Sequence, residues 1–194
     1  GSAEAHFYLG ELHRSGRGVE GDKAKAFELL KVAAKAGYLP AQFSVAQMYS
    51  RGEGVEQDLD QTSRWLLQAA EEGHGEAQMS LYFNYSRGTG VAQDDAKALK
   101  WLTLAANAGV TLAERILGAA YMTGEGAEKN ETLGIDYLMR AANKNEPGAQ
   151  SNLGYAYATG TGVDQDEVKA AEWYKKAADQ GLIRAAVVMG DIYS

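Results

Sequence analysis

Apolar and small residues recur along this chain with a long period as well as a short one. Alanine stands at Ala5, Ala41, Ala77, Ala113, Ala149 and Ala185, each 36 residues after the last. Four residues beyond each comes Leu9, Val45, Leu81, Leu117, Leu153 or Met189, and four further on His13, Tyr49, Tyr85, Tyr121, Tyr157 or Tyr193. Steps of four trace one face of a helix. The pair Gly16/Gly18 follows, with copies at Gly52/Gly54, Gly88/Gly90, Gly124/Gly126 and Gly160/Gly162. Glycine accepts the left-handed conformation that ends a helix, so the pair predicts a helix stop.

A second helix is predicted after each stop. Asp22, Asp58, Asp94, Asn130 and Asp166 supply N-cap oxygens. The stripe that follows buries Leu29, Trp65, Trp101, Tyr137 or Trp173, the next apolar residue and an Ala-Ala pair. It closes at Gly37, Gly73, Gly109, Asn145 or Gly181. A small residue on the first helix (Gly10, Ala46, Gly118, Gly154, Gly190) lets the two helices approach closely, and Tyr82 breaks that rule. One such hairpin cannot bury its own apolar face, but stacked neighbours can. The predicted fold is therefore all-α: a solenoid of antiparallel helix hairpins in 36-residue repeats. After a lead-in at 1–4, where Gly1-Ser2 reads as a protease-cleavage remnant, one solenoid spans 5–194. Its repeats are 5–40, 41–76, 77–112, 113–148 and 149–184, with a half repeat at 185–194.

The string Ala149-Gln150, Leu153-Gly154, Tyr157, Gly160, Gly162-Val163, Asp166, Ala170, Trp173, Ala177-Ala178, Gly181 resembles the Sel1-like repeat, a relative of the tetratricopeptide repeat. The resemblance covers 5–194. It implies a right-handed superhelix with first helices lining a concave inner face and second helices outside. It also implies a scaffold or adaptor for protein binding. Tetratricopeptide repeats are shorter, at 34 residues. The only prolines, Pro40 and Pro147, fall between repeats, as in the Sel1-like branch.

Composition narrows the function. A net charge of −7 argues against a nucleic-acid partner, which needs a basic footprint. No apolar run approaches the roughly 20 residues that span a bilayer, so membrane insertion of this segment is not expected. The chain has no cysteine, which removes disulfides and thiolate metal sites. That absence fits cytosol, periplasm or a secreted location equally, so the compartment stays open, with bacterial periplasm or cytoplasm the first expectation.

Candidate chemistry dissolves on inspection. The segment Gly16-Arg17-Gly18-Val19-Glu20-Gly21 matches a dinucleotide fingerprint but follows a helix instead of the required strand. The aspartate pairs lack the ligand pattern of a calcium loop. His6, His13 and His74 join no nucleophile or metal spacing, so neither catalysis, cofactor nor metal is expected.

What remains is the first-helix face that the repeat leaves free. It carries Phe7, Glu11 and Arg14, then Phe43, Gln47 and Arg51, then Met79, Phe83 and Arg87, and further along Arg115, Met122 and Tyr155. Aromatic, Met and Arg side chains are enriched where proteins bind one another. These twelve are the expected contacts for a protein or peptide, with Phe43, Phe83, Arg51 and Arg87 as the centre and the arginines facing a carboxylate such as a peptide C-terminus. The competing reading is packing of Phe7, Phe43 and Met79 between repeats. The alternative role is a self-associating or envelope-assembly element that uses the open ends of the array.

Overall fold

The structure, a computed structural model, describes residues 1–187. It contains ten 13-residue helices: α1 Ala3–Ser15, α2 Lys23–Lys35, α3 Leu39–Arg51, α4 Leu59–Glu71, α5 Gly75–Arg87, α6 Asp95–Asn107, α7 Thr111–Thr123, α8 Glu131–Asn143, α9 Pro147–Thr159 and α10 Glu167–Asp179. A further helical stretch begins at 183–187. Met189, Gly190, Asp191 and Tyr193 lie outside the described residues. No described helix is long and apolar enough to cross a membrane. The helices form two compact units, residues 1–104 and 105–194.

Each boundary has the expected chemistry. Asp22 accepts from the Lys25 amide at 2.9 Å and Asp58 from Gln61 at 2.9 Å. Asp94, Asn130 and Asp166 do the same for Lys97, Leu133 and Lys169. The backbone N–H of each capping residue donates in turn to the carbonyl of the Tyr slot, as Asp58 does to Tyr49 at 3.1 Å. That bond ties the second helix's start to the first helix's last turn. Second helices end on a residue with positive φ, and Asn145 at 63° stands there in place of glycine. Asn is the non-glycine side chain that tolerates this region best. Gly54, at φ 70°, has a second reason to be glycine. A Cβ there would lie 2.0 Å from the Lys23 carbonyl oxygen, inside the backbone that opens α2.

Within a hairpin, the small residue of the first helix sets the approach. A Cβ on Gly10 would fall 2.7 Å from Leu30, on Gly118 2.9 Å from Leu138, and on Gly154 2.8 Å from Tyr174. Those partners follow the Leu29, Tyr137 and Trp173 slot, and they are the better buried. Leu30 and Leu138 are fully enclosed, while Leu29, Trp65 and Trp173 are only half-buried. The aromatic slot thus reaches the core at Trp101 and Tyr137 and only its edge elsewhere, while Leu30 and Leu138 after it lie at the centre.

The core itself lies between repeats. In the first unit Ala26, Phe27, Leu30, Ala33 and Ala34 of α2 pack on Ala41, Val45, Met48 and Tyr49 of α3. In the second, Leu138, Ala141 and Ala142 of α8 pack on Ala149 and Leu153 of α9. Fully burying such a Leu or Val stabilises by about 1.5–3 kcal/mol. The same logic corrects one expectation. Ala5 and Leu9 of α1 are exposed, although their counterparts Ala41 and Val45 are fully buried, because no second helix among the described residues packs on that side of α1. Leu12 and Tyr8 join them on this open face.

A buried polar row runs through these junctions: Gln42, Gln78, Glu114 and Gln150, one in each of the second to fifth repeats. Gln78 Nε2 donates to the Ala70 carbonyl at 2.9 Å, and Gln150 Nε2 to Ala142 at 3.4 Å. Each adds a second donor to a carbonyl at the end of the preceding helix, which already accepts a turn N–H from Gly73 or Asn145. Glu114 has no proton to donate in its charged form. Arg140 takes over, its NH2 group donating to Ala106 at 2.8 Å while Nε donates to Glu114 at 3.1 Å. Lys144 Nζ completes the set at 2.8 Å from Glu114 Oε2. Glu114 is 1% exposed, so removing a partner leaves a buried charge poorly compensated. Arg140→Ala should cost about 2–4 kcal/mol of stability. Adding Glu114→Gln should recover most of that loss, because the amide can donate to Ala106 itself. Urea unfolding of the single and double variants checks this, and additive losses would contradict it.

Candidate functional site

Four of the twelve face residues converge on one cleft. Phe43, Gln47 and Arg51 of α3 and Phe83 of α5 line a depression of about 270 Å³, with Thr62 and Leu66 of α4 also in its wall. Ala46, Ser50, Ser80 and Asn84 complete the lining. The floor is apolar, the rim carries amides and hydroxyls, and no lining residue is acidic. Phe43 is held by the His74 ring, stacked at 4.6 Å and 29°. Phe83 lies under the Arg87 guanidinium, whose carbon sits 4.8 Å from the ring centre. Stacking occupies the face of the guanidinium and leaves its in-plane N–H donors available.

Repeat 3 departs from the periodic rule where it meets this cleft. Tyr82 stands in the small-residue slot, and Asn84 stands where Met48 and Ala156 are buried apolar residues. The sequence singles out the two aromatics and the two arginines as candidates, but not the polar lining, Ser50, Thr62, Ser80 and Asn84. Asn84 was the available signal, as a polar residue on an otherwise apolar stripe.

Other face residues are engaged within the chain. Glu11 accepts from Ser44 Oγ at 3.0 Å, and Arg14 reaches Gln47 at 3.4 Å and Glu53 at 3.1 Å, so α1 and α3 are laced together by side chains. Burial alone would raise the Glu53 carboxyl. The Arg14 hydrogen bond and charge, aided by Lys23 and Arg51, instead hold it below its ordinary range. Phe7 rests on Tyr38 at 5.1 Å. Two expectations need correcting. Met79 is 6% exposed, its flexible thioether drawn into the packing. Met122 turns towards α8, where its side chain fills the space beside Gly134. Arg115 pairs with Glu146 at 3.3 Å. Tyr155 is exposed, in a shallow depression with Tyr174 and Arg184.

This geometry offers a shaped apolar cleft with polar edges and no cluster of reactive groups. Among the described residues, no group of three or more His, Asp or Glu side chains is placed to hold a metal ion. The Sel1 repeat model matches five times, at residues 3–38, 39–74, 76–110, 111–146 and 147–182. The chain belongs to the Sel1 repeat family. Its matched repeats open with the first helix of each hairpin, about two residues ahead of the alanine frame read from the sequence. A Sel1 repeat protein from Oxalobacter formigenes has 35% identity over 99% of this chain and 78% of its own, with a TM-score of 0.85. A protective antigen of uropathogenic Escherichia coli with an SLR fold has 33% identity and a TM-score of 0.91. It is matched over all of this chain and 41% of its own length, so this chain spans less than half of that relative. An immunity protein of Pseudomonas aeruginosa shares the fold at 22% identity and TM-score 0.56, over 96% of this chain and 68% of its own. No curated protein matches the chain. The Sel1 repeats form an all-α solenoid, and repeats of this family generally serve as scaffolds for protein interaction.

His74 links the cleft wall to pH. Its Nδ1 accepts from the Ala77 amide at 3.3 Å, which N-caps α5 and requires that nitrogen unprotonated. Burial lowers its pKa below the ordinary 6.5, with the Glu76 charge opposing. The unfolded chain therefore binds this proton more readily than the folded one. His74's contribution is complete above about pH 6.5 and is lost as pH falls through the lower folded value. Denaturation midpoints at about pH 7.5 and 5.5 should drop further in the native chain than in His74→Asn, which keeps a capping side chain but does not titrate. Equal drops would contradict this assignment.

Proposed function

We propose that this chain is a non-catalytic scaffold that binds a partner protein on the first-helix face of repeats 2 and 3. The observation that carries this reading is the α3–α5 cleft. Two large aromatic side chains, Phe43 and Phe83, are only partly buried there, although Phe43 also packs against the core cluster of Ala46, Leu66 and Leu81.

 Exposed apolar patches of this kind mark interaction surfaces, and a buried aromatic anchor with polar surroundings is the usual centre of one. Gln47, Ser50, Ser80 and Asn84 offer hydrogen bonds to a bound main chain, and Arg51 and Arg87 offer charge. Phe7, Glu11 and Arg14 frame the face through their internal contacts, and Arg115 and Tyr155 are separate candidate contacts in the second unit.

The open side of α1 supports a second mode, contact between copies. Leu9 and Leu12 are each 41% exposed there, at slots filled by the fully buried Val45 and Met48 in α3. One experiment separates the two. The native chain and a Phe43→Ala, Phe83→Ala, Arg87→Glu variant of matching helicity are used as baits in lysate from the source cell, and both are sedimented alone. A partner retained by the native bait and lost by the variant is expected. Equal retention by both would place binding elsewhere, and a dimer in sedimentation with no partner retained would favour self-assembly.

A further inference from the structure

We propose that the α3–α5 cleft recognises an internal acidic peptide segment, one that seats a single aromatic or large aliphatic side chain and flanks it with carboxylates. This deepens the reading above and rests on it. Three observations specify the occupant. The cleft encloses about 270 Å³, just under the roughly 300–1,000 Å³ typical of sites for drug-sized molecules, so it suits one large side chain. Phe43, Phe83 and Leu66 supply the apolar contact for that side chain, and Gln47 and Asn84 sit beside it to bond a peptide main chain.

The charge around the cleft is the second observation. The chain carries a net charge of −7, yet none of the lining side chains is acidic. Arg87 lies on Phe83 with no carboxylate in ion-pair reach among the described residues. Arg51 is 60% exposed at its side chain and shares Glu53 at 3.6 Å, but Glu53 is already bound by Arg14 at 3.1 Å. The cleft lining is thus free of carboxylates on an acidic chain, with Arg87 beside it and Arg51 sharing Glu53 with Arg14, and it complements an anionic ligand.

The third observation is register. Arg51 and Arg87 occupy the same slot of consecutive repeats, 36 residues apart. Two arginines at the same slot of successive first helices suit two carboxylates carried on one extended segment. A single C-terminal carboxylate would engage only one of them.

The test uses three fluorescein-labelled heptapeptides, each acetylated and amidated, titrated with the whole chain by fluorescence anisotropy. One has a central Phe flanked by Asp and Glu, one has the flanks changed to Lys, and one has the central Phe changed to Ala in acidic flanks. The acidic Phe peptide should bind about tenfold or more tightly than either control, and its affinity should fall as salt rises from about 50 to about 300 mM. Arg51→Glu with Arg87→Glu, both at exposed positions, should reverse the preference towards the Lys-flanked peptide. Equal binding of acidic and basic peptides that is still lost in Phe43→Ala, Phe83→Ala would overturn the acidic specificity and leave the scaffold reading standing. Binding only by an uncapped version of the peptide would overturn it in favour of a terminal carboxylate. Absence of binding to all three would overturn it too, while the bait comparison above would still decide whether the face binds a protein.

Discussion

The structure depends on one constraint: a helix hairpin of this size has no place to bury its own apolar stripe, so the core must be shared with the next hairpin. The packing of α2 on α3 and of α8 on α9 shows this directly, since each cluster joins the second helix of one repeat to the first helix of the next. Stability in such an array is approximately a sum of repeat and neighbour terms. Every junction must therefore be dry and close. Small residues at Gly10, Gly118 and Gly154 supply the closeness, and the row of Gln42, Gln78, Glu114 and Gln150 supplies polar groups at the junctions.

That row shows how one structural task admits two chemistries. An amide donates directly to the carbonyl at the end of the preceding helix, as Gln78 does to Ala70. At Glu114 the task passes to Arg140, and Lys144 offsets the added charge. The substitution trades one neutral hydrogen bond for a charged cluster, and charged hydrogen bonds are shorter and stronger but more costly to desolvate. The cleft arises in the same way, from a local exception. Once α5 carries Tyr82 in a small-residue slot and Asn84 in an apolar one, with Phe83 between them, the face between α3 and α5 holds aromatic surface and a polar side chain. A regular junction would have consumed both.

Period, helix boundaries and caps were legible in the sequence because they depend on local chemistry. The aspartate caps and the glycine stops need no distant partner. Phe43, Phe83, Arg51 and Arg87 were legible too, as large side chains on positions that the repeat does not use. Burial at single positions was not. Met79 and Met122 share that helical face but are drawn inward, since a flexible thioether follows whatever space its neighbours leave. Leu9 fits the core stripe and is nonetheless exposed, because burial needs a neighbouring helix as well as the right residue. The carbonyl bonds of the Gln row also escaped the reading, although Ala-Gln recurs in the sequence. Its partners lie eight residues back, across a turn, and only the folded junction brings them together.

The most direct test of the account is hydrogen exchange of the bound chain. Amide exchange, followed by mass spectrometry with and without a captured partner, reports which helices the partner covers. The account predicts slowed exchange in peptides covering 43–51 and 79–87, with little change in α2 and α10. Protection confined to second helices, with α3 and α5 unchanged, would contradict it.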